Sequence, residues 1–94
     1  IAYAPFRCRM TLRLQGSLAA LEKAVPPWCG MLQAESPSHC LLRVGADSPE
    51  ALASLVLLLD RPFTVVEGEE QLPAIRTLLK RLQAKLAPGP RSRR

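Results

Sequence analysis

The sequence has no apolar run longer than Leu55 to Leu59, and a helix that spans a bilayer needs roughly 20 apolar residues. Its opening residues also lack the basic and then apolar form of a signal peptide. Histidine occurs once, as His39, and the three cysteines, Cys8, Cys29 and Cys40, form no CxxC pair. A zinc site or a disulfide framework needs matched spacing. We therefore read the cysteines as buried small apolar residues and expect no metal, no cofactor and a reducing, cytoplasmic setting. Gly16, Gly30, Gly45 and Gly68 stand apart, so no glycine-rich phosphate loop is formed. Carboxylates gather only at Glu67, Glu69 and Glu70, a helix entry where the helix dipole accounts for them. His39 and Cys40 are neighbours in a strand pattern and point to opposite faces, which unsuits them as base and nucleophile. No catalytic constellation remains, and we expect a protein that is not an enzyme.

What is present is globular: 48% of residues are hydrophobic and 22% charged. The net charge of +5 is partly local, because Arg91, Arg93 and Arg94 follow Pro88-Gly89-Pro90. Without them the body carries about +2, which is a weak argument for nucleic acid. The chain opens on Ile1, and we expect a piece of a longer protein. Residues 1–4 read as a linker from an upstream domain, 5–87 as one α+β domain and 88–94 as a basic, disordered tail.

Phe6, Cys8, Met10, Leu12 and Leu14 alternate with Arg7, Arg9, Thr11 and Arg13. That period of two predicts a strand with one dry face. Ser17 is suited to cap a helix with Leu18, Leu21 and Val25 at helical spacing, ended by Pro26-Pro27. An irregular edge strand follows over Trp28 to Glu35, then a Ser36-Pro37-Ser38 turn and a strand over His39 to Val44, together an antiparallel hairpin. Asp47-Ser48-Pro49-Glu50 opens a second helix with Leu52, Leu55, Val56 and Leu59 on one stripe, closed by Asp60-Arg61-Pro62. Phe63 to Glu67 reads as a fourth strand, and a last helix runs from near Pro73 to about Ala87. The order β-α-β-β-α-β predicts a ferredoxin-like sandwich: a four-stranded antiparallel sheet, two helices on one face and an additional C-terminal helix.

In that arrangement Arg7, Arg9, Arg13 and Arg43 share the open face of the sheet, and neither central strand holds an acid to pair them. Arginine suits bidentate contact with phosphate or carboxylate, so these four are candidates for binding an anionic effector, single-stranded nucleic acid or a nucleotide. Solvation, or pairing with acids of another domain, would explain them equally. The central strands offer Thr11 and Leu41 where base-stacking sheets carry aromatics, so such binding would be phosphate-led. On the last helix Leu72, Ile75, Leu79, Leu82 and Leu86 repeat at spacings of three and four, either as an assembly interface or, our preferred reading, as a stripe packed on the domain's own sheet. Trp28 is a further candidate anchor for a partner, beside the commoner role of a tryptophan in the core or an edge strand. A small-molecule sensor of the ACT-like kind shares the strand order, with the Gly16-Ser17 turn as its candidate loop.

Taken together, Arg7-Cys-Arg-Met-Thr-Leu-Arg-Leu, a first helix running into Trp28, Cys40-Leu-Leu-Arg-Val, Ser48-Pro-Glu-Ala-Leu, Phe63-Thr-Val-Val-Glu, an acidic turn and a closing basic helix resemble one family. It is the WCX domain, the C-terminal extension that follows the WYL domain in bacterial WYL-family transcription regulators, and the resemblance covers about residues 3 to 87. The Trp-Tyr-Leu signature of the neighbouring domain is absent, and Glu67-Gly68 stands where the family usually has Glu-Pro. The resemblance implies upstream WYL and winged-helix DNA-binding domains in the same protein. It also implies a homodimer, and a module that helps build it and helps receive an effector.

Overall fold

The computed structural model describes residues 6–86, 88 and 89. The linker expected over 1–4, the helix end expected at Ala87 and the arginines of the tail lie outside them. The described chain is an α+β unit of four antiparallel strands and three α-helices, in the order β1 (Cys8–Gln15), α1 (Leu18–Ala24), β2 (Met31–Ser36), β3 (His39–Ala46), α2 (Pro49–Leu57), β4 (Thr64–Glu67) and α3 (Leu72–Lys85). The strands lie in the order β2-β3-β1-β4, compatible with a ferredoxin-like arrangement. Among the described residues no helix is long and apolar enough to cross a membrane.

Alternation in β1 and β3 builds the core. The two strands pair antiparallel with Cys8, Met10, Leu12 and Leu14 opposite Ala46, Val44, Leu42 and Cys40, and all eight side chains are buried. Helices α1 and α2 pack onto this face, α1 against β2 and β3 and α2 against β1 and β3. Leu21 and Val25 of the first helical segment and Leu52, Ala53 and Val56 of α2 complete the buried cluster. Each fully buried leucine contributes roughly 2–3 kcal/mol of transfer free energy.

Local chemistry sets where the helices begin. Ser17 Oγ accepts from the Ala20 amide at 3.2 Å, and Ser48 Oγ from the Ala51 amide at 3.1 Å. Both hydroxyls thereby satisfy an amide that a helix start leaves unpaired. Pro49 fills the first helical position, where its missing amide costs nothing. After β4 the chain reverses at Gly68, whose φ of 91° is left-handed, and a 3-10 turn over Glu69–Gln71 leads into α3. A Cβ at Gly68 would also lie 2.5 Å from the Arg9 carbonyl oxygen, so both conformation and space call for glycine.

Three expectations are corrected. Phe6 does not join the dry face of β1: the chain bends at Arg7 and the strand starts at Cys8. Trp28 lies not in β2 but in a 3-10 turn over Pro27–Cys29, and β2 starts at Met31. Pro27 lacks the amide a ladder requires, which favours the turn. The α3 stripe does not cover the sheet. The helix packs on α2, burying Ile75 with Leu72 and Leu78 packed partly against the core, while Leu79, Leu82 and Leu86 are exposed. With α1 and α2 already on the sheet, only the first turns of α3 find apolar surface to bury.

Leu12→Ala should cost about 3 kcal/mol in urea unfolding through the cavity it leaves. Leu86→Ala, at a side chain 79% exposed, should cost under about 0.5 kcal/mol. Equal losses at the two positions would contradict this division of the leucines.

Candidate functional site

The helix-free face of the sheet is organised in rows by the strand register. Arg9 lies opposite Gly45; Thr11 lies between Arg43 and Glu67, with Met31 beyond Arg43; Arg13 lies between Leu41 and Thr64, with Gln33 beyond Leu41; and Gln15 lies opposite His39. Arg9, Arg13 and Arg43 thus share the open face, as the alternation predicts. Arg7 is exposed at the bend before β1, and the strand register does not place it.

The arginines are not equivalent. Glu35 of β2 reaches across β3 to Arg13, which donates from Nε to Oε1 and from Nη2 to Oε2, each at 2.7 Å. The acid missing from the two central strands therefore comes from the edge strand, and Arg13 is neutralised. Its two hydrogen bonds hold the Glu35 carboxyl below the ordinary carboxylate range, aided by the charges of Arg13 and His39, and the same pairing raises Arg13. Arg43 donates from Nη1 to Gln33 Oε1. Gln33 carries no charge, so Arg43 keeps its own. Arg9 lines a shallow hollow with Glu67, Gly68 and Glu70. Thr11, buried although it faces this side, donates to Glu67 Oε1 at 2.9 Å. The uniform cationic patch expected from the sequence is thus broken up, and Arg43 retains an uncompensated charge beside a neutral partner.

Arg43 borders a feature that sequence reasoning missed. Phe6, Pro27, Trp28, Met31, Arg43 and Gly45 line a cleft of about 310 Å³ at one end of the open face. Gly45 makes it possible: an added Cβ would lie 2.6 Å from Phe6 Cδ2, so the absent side chain lets the ring lie over β3. Trp28 is 62% exposed and Met31 49%, which leaves an aromatic and a thioether at the rim. Two signals pointed here. A glycine inside a strand marks close approach of another group, and Pro26-Pro27 before Trp28 argues for a turn that lifts the indole away from the ladder.

His39 sits at the hairpin end beside Ser38, whose Oγ is 3.0 Å from Nδ1, while Cys40 points into the core and contacts the Gly16 carbonyl at 3.6 Å. Burial pushes the Cys29 and Cys40 thiols up, away from the thiolate that nucleophilic chemistry requires. Among the described residues no three of His, Cys, Asp and Glu come together to hold a metal ion. No family model, no curated protein and no solved structure matches the chain.

Because the folded Glu35 carboxyl is depressed, the Arg13 pair stabilises the fold above the ordinary carboxylate range and loses that contribution as pH falls through the depressed value. The melting temperature of the native protein should therefore exceed that of Glu35→Gln near pH 6, and the gap should close as the pH is lowered through the depressed Glu35 value. A gap that widens with acid would show that the pair does not act through ionisation.

Proposed function

We propose that the chain is a non-catalytic regulatory module with a ferredoxin-like sandwich fold, of the kind its resemblance to WCX domains implies. Its open sheet face receives an anionic effector, nucleic acid or nucleotide in type. Arg43 supports this reading most directly: it is cationic, faces the open side, has a neutral partner and borders a cleft. Arg9 shares that face, and Arg7 is exposed at the adjoining strand start. Arg13 contributes to the architecture through Glu35 rather than to effector contact. On this reading the module works in a WYL-type transcription regulator, in the cytoplasm, beside upstream WYL and DNA-binding domains.

Fluorescence anisotropy with a short labelled single-stranded DNA tests this. Affinity should fall on the order of tenfold between about 50 and 200 mM salt, as a few phosphate contacts release their counterions. It should weaken further in Arg43→Gln and Arg9→Gln, and persist when residues 91–94 are removed. Binding that disappears only with the tail would assign it to the tail and overturn the effector face.

A second role, in assembly, is favoured by the exposed Leu79, Leu82 and Leu86 on α3. Sedimentation should show a dimer that Leu79→Glu with Leu82→Glu converts to monomer without loss of helical signal. A monomeric parent protein would remove α3 from the interface.

A further inference from the structure

We propose that the Phe6–Trp28 cleft is a binding site for a planar aromatic carboxylate. The proposal rests on the reading that the open face receives an anion, and it names a ligand class for one end of that face.

Shape, lining and charge point to the same chemistry. At about 310 Å³ the cleft lies at the small end of ligand pockets, room for one or two fused rings and little more. Its walls are mainly apolar, with the Phe6 and Trp28 side chains as aromatic surfaces and Met31 as a polarisable one. Aromatic rings favour offset-stacked and edge-to-face neighbours, and a thioether sulfur sits well at a ring edge. Gly45 and Gly30 among the lining residues leave the backbone of β3 and the entry to β2 without side chains to obstruct a flat group. Arg43 alone among the lining residues carries a charge. Its planar guanidinium commits Nη1 to neutral Gln33, leaving further N–H donors in the fork that a carboxylate accepts from in two-pronged fashion. A ring between Phe6 and Trp28 with its acid group toward Arg43 satisfies each of these features. A bulky aliphatic acid fits the charge but not the aromatic walls, and an uncharged ring fits the walls but leaves Arg43 unanswered.

Trp28 is the only tryptophan in the chain, so its fluorescence reports the site directly. The intact chain is titrated with 2-naphthoate, with neutral 2-naphthamide and with non-planar cyclohexanecarboxylate, and each affinity is checked by calorimetry. We expect 2-naphthoate to perturb Trp28 and to bind at least tenfold more tightly than either control. Arg43→Gln should abolish that preference over the amide, Arg43→Lys should restore part of it, and Arg13→Gln, at the paired arginine, should leave it intact. Circular dichroism melts confirm that each variant is folded. Equal affinity for 2-naphthoate and 2-naphthamide, or no binding by any of the three, overturns the proposal. A single-stranded oligonucleotide titrated in the same buffer separates the two readings: if it binds through Arg43 while 2-naphthoate does not, the carboxylate site fails and the effector face stands. If neither binds, both fail.

Discussion

The antiparallel pairing of β1 with β3 is the constraint on which the remaining structure depends. Over eight registered pairs it places Cys8, Met10, Leu12 and Leu14 against Ala46, Val44, Leu42 and Cys40, a continuous dry surface that both helices of the sandwich need. A slip of β1 by one residue against β3 would send Cys8, Met10, Leu12 and Leu14 to water and bring Arg9, Thr11 and Arg13 under the helices. Desolvating two guanidinium groups would exceed any gain from the alternative pairing. The register is therefore fixed by what it avoids as much as by what it buries. Once it is fixed, the composition of the open face follows without further choice.

The chemistry of that face is then shaped at its margins, where regular pairing fails. The register of β2 against β3 shifts between Ala34 and Ser36, and there Glu35 meets Arg13 across the intervening strand. The bend at Arg7 frees Phe6 from alternation and lets it lie over Gly45. The turn over Pro27–Cys29 brings Trp28 to the same end. One irregularity neutralises a charge and the other two build an apolar cleft beside a charge that remains. The ladder supplies a rigid platform, and its interruptions supply the ion pair and the cleft.

This division explains what was legible in the sequence. Element order, the Ser17 and Ser48 caps, the dry face of β1 and β3 and the shared side of Arg9, Arg13 and Arg43 all follow from periodicity or from a cap at one position, and those signals are local. The Arg13–Glu35 pair was not legible, because it joins strands that are not adjacent in the sheet. Phe6 fits the alternation of the residues after it, and only the backbone bend at Arg7 separates it from them. On α3 the leucine spacing is regular along the whole helix, but burial is decided by how far α2 extends beneath it. Periodicity identifies an apolar face without saying how much of it finds a partner.

The two surfaces left open have separate physical origins and lie on opposite sides of the sheet. The cleft and Arg43 belong to the helix-free face, whereas Leu79, Leu82 and Leu86 belong to a helix packed outside α2. A partner on α3 would leave the cleft uncovered, and a ligand in the cleft would touch nothing on α3. Binding at one need not exclude the other, and their free energies add unless the intervening core changes arrangement. That core is Leu12, Leu42, Val44, Leu52 and Val56, all almost fully buried. Arg43 lies between Leu42 and Val44 on β3, so a pull on its guanidinium loads the strand on which α2 rests. Communication between the surfaces would pass through this packed layer and would need a second stable arrangement of it. A close-packed layer resists gradual deformation, so the intact domain favours two independent surfaces joined by a rigid centre.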